Sequence, residues 1–403
     1  MKTILHYGVG YIKENYGLEA LTRGTEIMLE QAFPEHQGYY ICNRNVESET
    51  DVLGPFKHTR LIEADEKLPS IKSRLAWRLL RKHCLPELKV PRRIENEIDF
   101  ALGVGGDIYT LANKDKTSWP YPWPVIKGVA RLERMKIPYV LWCASVGPFG
   151  SLSQSKRIRL LDHLNQIDHI IVRETGSYDY LTQDCGLTNV TLAADPAFFM
   201  EPVVDESLSF LYRNRPVIAI NISEAMIEYV FGRNCVAEEI VRLSRIISEL
   251  LKISDFDVLL VPHTSTDFKT MKSIQENLSP ALQNRVFRLP DWYGAQKTKW
   301  AISQCRLLIC MRFHCSIAGL SSNTPTVLIS SAAKGPRMFT DILGDTCSEM
   351  LIDMKEFDTE ILHEKIDHLM NQRERIIKQI SEANHKMQKR AEYAINKLKE
   401  LYD

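Results

Sequence analysis

Short apolar runs of strand length alternate with helical stretches almost from one end of the chain to the other. Predicted strands include Thr3–Tyr7, Tyr139–Ala144 and Leu307–Met311, and helical patterns such as Ala237–Ile253 lie between such runs. Strand–helix alternation is typical of parallel sheets that carry helices on both faces. The sequence therefore predicts an α/β fold.

The length of the chain predicts two domains. Its 403 residues exceed the size at which one hydrophobic core stops growing. A polar segment, Glu201–Glu206, separates the Asp195-Pro196 turn from a new predicted strand that begins at Val217. We expect two Rossmann-like domains, 1–205 and 206–385, that face one another across a cleft. Residues 386–403 form a predicted C-terminal helix that is a candidate to pack back on the first domain.

The charge balance excludes some classes of partner. Lys plus Arg and Asp plus Glu each number 51, so no global positive field exists to attract nucleic acid, and anion binding requires a local site. Nine cysteines without a CxxC pair fit reduced thiols better than disulfides or a zinc site. The start of the sequence has no apolar signal-peptide core. We expect a cytoplasmic protein without a metal site.

Two residues with useful chemistry directly follow a predicted strand. Arg312 and His314 come after Leu307–Met311, and ligands of parallel sheets gather at the carboxyl ends of the strands. An arginine fork suits a carboxylate or phosphate, and an imidazole can move a proton near neutral pH. Either residue alone would more often be a surface ion pair or a structural hydrogen-bonding group. Together they predict chemistry on an anionic ligand.

Other polar residues of the second half follow neighbouring predicted strands. His263 comes after Val258–Pro262, and Lys334 and Arg337 come after Thr326–Ile329. With Arg312 and His314 these side chains would bring three cations and two imidazoles to one pocket. For Lys334 and Arg337 a solvated helix face is the alternative interpretation.

Four consecutive strands of the first half end in polar or glycine-bearing turns. Their carboxyl ends meet at one sheet edge, so we expect the turns to converge on a second set of site residues: Gly105, Gly106, Asp107, Ser145, Arg173 and Asp195. The glycine loop is neither a GxGxxG nor a P-loop motif, so dinucleotide and ATP binding receive little support and no cofactor is predicted.

An aromatic loop follows the glycine-rich turn. Trp119 and Trp123 alternate with prolines and a tyrosine in the sequence WPYPWP. Aromatic rings cover the apolar faces of sugars well. The two tryptophans are therefore candidate sugar contacts, with ordinary loop packing as the alternative.

The chain resembles the polysaccharide pyruvyl transferase family. The resemblance rests on an ordered set of short motifs between about residues 100 and 340, none of which is specific alone: Gly103–Asp107, Ser145–Pro148, Arg173-Glu174, Ala194–Phe198, Pro262-His263 with Asp267, Arg312–His314 and Pro325–Lys334. Arg173-Glu174 departs from the more usual Arg-Asp. This departure does not affect which compound the resemblance implies as pyruvyl donor, but it leaves the identity of the acceptor sugar open.

The resemblance implies a GT-B-like fold and a cytosolic enzyme of polysaccharide biosynthesis that needs no metal for its fold. Such an enzyme transfers a pyruvyl group from phosphoenolpyruvate to two sugar hydroxyls and forms a cyclic ketal. By this resemblance Arg312 and His314 match the family's Arg-x-His motif, and Lys334 matches its later lysine.

Roles for the candidate residues follow from this chemistry. His314 is the expected general acid, and Arg312, Lys334 and Arg337 would hold the donor. Asp107 and Asp195 would orient or deprotonate the acceptor, and His263 could serve in either task. The remaining candidates would bind substrate: Gly105, Gly106, Ser145, Arg173, Trp119 and Trp123.

Two rival functions stay open at this point. A GT-B glycosyltransferase would place the diphosphate of a nucleotide sugar on the same cations and helix ends. A glycan-binding or scaffold protein could keep the fold without catalysis. The acceptor is expected to be a glycan or a lipid-linked oligosaccharide. The basic segment from Thr59 to Pro91 is a candidate contact with a lipid carrier at the membrane surface, and a solvated helix is the simpler alternative for its middle part.

Overall fold

The chain contains two compact units, each built on its own parallel sheet. A computed structural model describes residues 1–7, 12–42, 56–63, 90–111, 123–212, 214–331 and 334–403. Unit 1 comprises Met1–Ile12, Leu21–Pro196 and Lys389–Asp403, and unit 2 comprises Lys13–Ala20 and Ala197–Gln388. The predicted α/β class is confirmed.

Unit 1 contains a seven-stranded sheet in the order β3-β2-β1-β4-β5-β6-β7, with every neighbouring pair parallel. The central strands are buried apolar runs, as expected where helices cover both faces of a sheet. The strands are β1 (Thr3–Tyr7), β2 (Gln37–Cys42), β3 (Thr59–Glu63), β4 (Phe100–Val104), β5 (Tyr139–Ala144), β6 (His169–Val172) and β7 (Val190–Leu192).

The helices of unit 1 follow these strands. α1 (Tyr16–Ala32) begins in unit 2 and continues into unit 1. The others are α2 (Trp123–Arg134), α3 (Gln154–Gln166) and α4 (Thr175–Asp179), which continues as a π-helical turn over Tyr180–Asp184.

Unit 2 contains a six-stranded parallel sheet in the order β10-β9-β8-β11-β12-β13. Its strands are β8 (Val217–Asn221), β9 (Asp257–Leu260), β10 (Val286–Arg288), β11 (Leu307–Cys310), β12 (Thr326–Ile329) and β13 (Leu351–Ile352). Its helices are α5 (Glu224–Phe231), α6 (Val236–Ile253), α7 (Ser265–Glu276), α8 (Pro280–Gln283), α9 (Ala295–Ser303), α10 (Phe313–Leu320), α11 (Lys334–Leu343), α12 (Thr359–Asn371) and α13 (Arg373–Tyr402), the last of which ends in unit 1. Short 3-10 turns cover Pro196–Phe199, Ser209–Tyr212, Arg233–Cys235 and Gly344–Met350.

The boundary that corresponds to the predicted 205/206 falls earlier, at Pro196/Ala197. Residues just after the boundary are tied to unit 2, because Lys299 Nζ donates a hydrogen bond to the Met200 carbonyl at 2.7 Å. At the other end of the chain, Tyr402 stacks on Phe100 within unit 1, with ring centroids 4.0 Å apart.

A segment near the amino terminus completes unit 2. Residues 13–20 join the second sheet's unit although they lie far from it in sequence. Tyr16 N donates to the His263 carbonyl at 3.0 Å, and Ser265 N donates to the Glu14 carbonyl at 2.9 Å. The segment therefore lies beside the carboxyl end of β9.

None of the helices in the described part of the chain is both long and apolar enough to cross a membrane.

Candidate functional site

A cavity of about 380 Å³ lies at the carboxyl ends of β8, β9 and β11 in unit 2. Its volume is within the range of small-molecule sites, about 300–1,000 Å³. The lining residues come from the three strand ends, from α5 and from the amino-terminal segment: Asn15, Ser223, Ala225, Met226, Tyr229, His263, Thr264, Met311, Arg312, Phe313 and His314.

Four helices begin at this cavity. Ser223, Thr264 and Arg312 are the N-cap residues of α5, α7 and α10. Asn15 precedes α1, and its carbonyl accepts hydrogen bonds from Leu18 N and Glu19 N. Backbone N–H groups of a first helical turn lack intrahelical partners and carry partial positive charge. The cavity is therefore suited to an anion.

Arg312 is held by a buried carboxylate. Its Nε donates to Asp267 Oδ2 at 2.8 Å, and its Nη2 donates to Asp267 Oδ1 at 2.6 Å. Asp267 Oδ2 also accepts from His263 N and Thr264 N, both at 3.0 Å. Within the described residues no acceptor faces Nη1. Nη2 also donates to Thr266 Oγ1 at 3.2 Å, so the chain itself uses the Nε and Nη2 sides of the fork, and the Nη1 side is the part that a ligand can contact.

His263 is a buried imidazole on the cavity wall. It is 3% exposed, and its ring lies edge-on to Tyr16 with centroids 5.8 Å apart. Neither ring nitrogen has a hydrogen-bond partner among the residues that the structure describes. A buried polar group without a partner is costly, so His263 is well placed to bond a ligand or a water molecule.

A thiol lies near the His263 ring. Burial raises the pKa of Cys315, but the neighbouring Cys310 and His263 outweigh burial and lower it to about 6. The sulfur does not meet hydrogen-bond geometry with either imidazole nitrogen.

His314 fits against a glycine of the amino-terminal segment. A Cβ atom on Gly17 would lie 2.6 Å from His314 Nδ1, which is closer than real contacts allow. The half-buried imidazole also lies edge-on to Phe313. Gly17 therefore creates the space that fixes the position of the predicted acid.

The structure brings Arg312, His314 and His263 together at the cavity, as the sequence predicted. The two other predicted cations are not described as lining it. Lys334 is the first residue of α11, and its side chain lies outside the described residues. Arg337 is exposed on the same helix and does not line the cavity. Arg312 is thus the cation that lines the cavity as described. No group of three His, Cys, Asp or Glu in the described ranges is placed to hold a metal ion.

In unit 1 the predicted residues converge on Arg173. Its Nη1 donates to Asp195 Oδ2 at 2.6 Å, and its Nη2 donates to Asp107 Oδ1 at 3.2 Å and to the Gly106 carbonyl at 3.1 Å. Its Nε donates to Ser145 Oγ at 3.0 Å. The turns after β4, β5, β6 and β7 therefore meet at one guanidinium.

This network changes the interpretation of two predicted site residues. The side chains of Arg173 and Asp195 are only 1% and 3% exposed, so the protein itself occupies the surfaces that a substrate would need. Substrate contact by Arg173 and catalysis by Asp195 stay predictions, and the contacts observed are those by which Arg173 joins the four turns. Asp107 differs from them, because its side chain is 60% exposed.

Steric crowding by Arg173 explains why position 106 is a glycine. A Cβ atom there would lie 2.6 Å from Arg173 Nη1, so the loop admits the guanidinium only without a side chain. Gly105 is buried in the same loop. The structure thus gives Gly106 a packing function, and substrate contact by either glycine stays a prediction.

Several predictions fall on parts of the chain outside the described residues. Trp119 is one of them, and Trp123 is the first residue of α2 with its side chain outside the description. Residues 64–89 of the candidate lipid-carrier contact also lie outside. The sugar platform and the membrane contact stay predictions.

Sequence reasoning missed Ser223 and Asn15, which line the cavity, and Gly17, which packs against His314. Ser223 before Glu224 has the pattern of a helix N-cap and could have been found from it. Asn15 and Gly17 give no comparable signal, because their importance comes from contacts with residues far along the chain.

Comparison with protein families gives a match over most of the chain. A family model described as polysaccharide pyruvyl transferase matches residues 15–332. No curated protein sequence matches the chain.

Comparison with solved structures shows the fold. The UDP-GlcNAc 2-epimerase of Methanocaldococcus jannaschii is similar with a TM-score of 0.57 and 11% identity, over 92% of this chain and 93% of that one. MnaA of S. aureus, solved with UDP, gives 0.56 and 11%, over 95% and 91%. HepE of Anabaena, in complex with UDP-glucose, gives 0.56 and 11%, over 99% and 98%. These are GT-B proteins, so the predicted fold type is confirmed.

Proposed function

Because the chain belongs to the polysaccharide pyruvyl transferase family, we propose that it transfers the pyruvyl group of phosphoenolpyruvate to two hydroxyls of a glycan sugar. The product is a cyclic ketal in polysaccharide biosynthesis. The observation that carries the proposal is the unit 2 cavity, where four helix N-termini, one arginine and two imidazoles meet.

The donor matches the polar groups of the cavity. Phosphoenolpyruvate is small and carries a carboxylate and a phosphate, which bind to backbone N–H groups at helix ends and to guanidinium groups. The first turns of α5 and α10 supply N–H groups, and Arg312 supplies its Nη1 side. Asp267 neutralises part of the charge of Arg312, so the helix ends carry a large share of the anion binding.

The reaction needs one proton donor and two proton acceptors. A proton added to the methylene carbon makes the adjacent carbon electrophilic, one sugar oxygen bonds to that carbon, and the carbon–oxygen bond to phosphate breaks. The second sugar oxygen then bonds to the same carbon. The two hydroxyls lose two protons, one of which balances the methyl group and the other the released phosphate.

His314 is the proposed general acid. It lines the cavity, and its place is fixed by Gly17. An imidazole gives and takes protons near neutral pH and typically contributes 10²- to 10⁴-fold to a rate. His263 is the alternative acid, because it lines the same cavity.

In unit 1, Asp107 keeps its predicted role toward the acceptor. Its exposed carboxylate can orient or deprotonate a hydroxyl, whereas Asp195 is committed to Arg173. The proposed acceptor is a glycan or a lipid-linked oligosaccharide. The cysteines in the described residues are free thiols, which supports a cytoplasmic location for the reaction.

The first experiment measures the thermal midpoint with phosphoenolpyruvate and, separately, with UDP-glucose. A ligand at 100 times its dissociation constant stabilises the folded state by about 2.7 kcal/mol. We expect phosphoenolpyruvate to raise the midpoint. His314→Ala should keep that rise and lose about 10²-fold or more in phosphate release from phosphoenolpyruvate.

The structural neighbours with UDP or UDP-glucose favour one rival, a glycosyltransferase that uses a nucleotide sugar. A rise in midpoint with UDP-glucose alone would replace the proposed donor. Equal turnover by the wild type and His314→Ala would instead remove His314 from the mechanism. A wild type that binds glycan but releases no phosphate with any glycan acceptor would support the non-catalytic alternative.

A further inference from the structure

The amino-terminal segment 13–20 brings a polar side chain to the unit 2 cavity. Asn15 lines the cavity, and residues on either side of it bond to the strand end and helix start at His263 and Ser265. Further along the segment, Glu19 Oε2 accepts a hydrogen bond from Ala295 N at 2.7 Å. These bonds fix Asn15 relative to His263.

The orientation of the Asn15 amide follows from its hydrogen bond. Oδ1 accepts a hydrogen bond from Gly17 N at 2.9 Å, so the side-chain oxygen caps the first turn of α1. The amide nitrogen Nδ2 therefore points away from that turn. No residue in the described ranges accepts from Nδ2. Asn15 therefore presents two N–H donors that the protein itself does not use.

We propose that Asn15 binds the pyruvyl-donor substrate, with its Nδ2 donating a hydrogen bond to an anionic oxygen of that substrate. The inference deepens the proposed function and rests on it for the identity of the donor. A second observation points to a ligand at this place, because the His263 imidazole, 3% exposed and without a partner in the described residues, lines the same cavity.

An uncharged hydrogen-bond donor such as the Asn15 amide suits the electrostatics of this cavity. Arg312 is bound to Asp267, and a further cation beside Arg312 would be repelled by it. An amide adds a hydrogen bond without added charge. Hydrogen bonds to charged groups are stronger than those between neutral groups, so one amide N–H contributes measurably to affinity.

Helix capping by Asn15 can be separated from donor binding. Capping uses only the side-chain oxygen, and aspartate caps helices as well as asparagine does. Asn15→Asp keeps the shape and the capping oxygen but replaces the two N–H donors with a second negatively charged oxygen. Capping would survive this change and also the neutral Asn15→Ser, whereas a hydrogen bond from Nδ2 would be lost in both, and in Asn15→Ser without added charge repulsion of the anion.

The experiment measures binding by isothermal titration calorimetry with three probes: phosphoenolpyruvate, UDP-glucose and inorganic phosphate. The proteins are the full chain, Asn15→Asp and the control Asn214→Asp, which makes the same charge change at an exposed position of unit 2. We expect Asn15→Asp to keep the ligand-free thermal midpoint and to lose roughly 10- to 100-fold in affinity. Asn214→Asp should bind like the wild type.

Each outcome separates the two proposals. Unchanged affinity in Asn15→Asp overturns the role of Asn15, whatever the donor is. Binding of UDP-glucose alone, weakened in Asn15→Asp, overturns the proposed donor and supports Asn15. A wild type that binds none of the three probes overturns both. If Asn15→Asp fails to fold, Asn15→Ser, which keeps a capping oxygen and removes the amide nitrogen, gives the same comparison.

Discussion

The two parallel sheets use their carboxyl edges differently. In unit 1 the side chains that follow four strands bind one another, and Arg173 and Asp195 are almost fully buried. In unit 2 the side chains that follow three strands surround a cavity, where Arg312 keeps 19% exposure and His263 has no ring partner among the described residues. The same edge thus holds a closed network in one unit and an open site in the other.

The difference shows that the hydrogen-bond partners of the side chains, more than their residue types, indicate which sheet edge can take up a ligand. A buried charge is stable only when other groups compensate it, and Arg173 has two carboxylates, a carbonyl and a hydroxyl around it. The open edge leaves N–H donors and an imidazole for a ligand. An arginine after a strand is compatible with both arrangements.

We expect the largest effect in a comparison of the unfolding free energies of Arg173→Ala and Arg312→Ala. Arg173→Ala removes the guanidinium that compensates the buried Asp195 carboxylate, and breaking such a pair costs about 3–5 kcal/mol of unfolding free energy. Arg312→Ala should cost less, because Asp267 keeps the hydrogen bonds from His263 N and Thr264 N. Urea unfolding measures both. The double variant Arg173→Ala/Asp195→Asn should recover part of the loss, and greater destabilisation by Arg312→Ala would contradict the contrast.

The second prediction concerns the space beside His314. Gly17→Ala places a Cβ atom 2.6 Å from Nδ1 and must displace the imidazole. We expect about 10²-fold slower phosphate release from phosphoenolpyruvate, the usual size of an acid–base contribution, while the fold stays intact because alanine favours helices. Gly176→Ala in the first turn of α4 is the control, since nothing lies within 4 Å of its Cβ. An unmoved His314 ring resonance in Gly17→Ala would refute the steric argument.

The third prediction concerns acid stability of unit 1. Burial lowers the pKa of His6 to about 3, and of His163 and His169 to about 4. The unfolded chain binds protons below about pH 6.5 while the folded chain does not, so this stability is complete above pH 6.5 and falls as the pH drops toward 4. We expect a loss of at least about 1 kcal/mol between pH 7 and 5.

Urea unfolding at a series of pH values measures this loss. His163→Gln removes one titrating group and can still bond the Tyr109 hydroxyl, which lies 2.7 Å from Nε2. The variant should show a shallower pH dependence than the wild type. An equal slope would mean that His163 titrates normally in the folded protein.

The smallest expected effect tests a cap at the open edge. Ser223 Oγ accepts from Met226 N at 3.3 Å, so Ser223→Ala should cost about 1 kcal/mol of stability and Ser223→Gly only a few tenths. Thermal midpoints without ligand distinguish them. A midpoint of Ser223→Ala equal to that of the wild type would show that the hydroxyl does not stabilise α5.

Much of the fold could be predicted from the sequence, because central strands of a parallel sheet are continuous apolar runs. Leu307–Cys310 and Tyr139–Ala144 are examples. The prediction missed β3 and β13, which lie at the edges of their sheets, and placed a strand before Asp195 without giving the bounds of β7. Edge strands are short and partly solvated, so their residues carry no continuous apolar signal.

The site was predictable only where one strand end carries several polar residues. Arg312 and His314 lie two positions apart and gave such a signal, and the structure places both at the cavity. Arg173 gave an equal signal, but its burial depends on Asp195, which no local pattern reveals. Asn15 and Gly17 depend on contacts with residues more than a domain's length away.

The division of the chain affects how its parts can be exchanged between related genes. Unit 2 consists of residues 13–20 and 197–388, and unit 1 consists of three separate pieces. A single crossover at 196/197 would therefore transfer the second sheet without Asn15 and Gly17. Chimaeras between family members should carry residues 13–20 together with 197–388, so that the imidazole and its glycine come from the same parent.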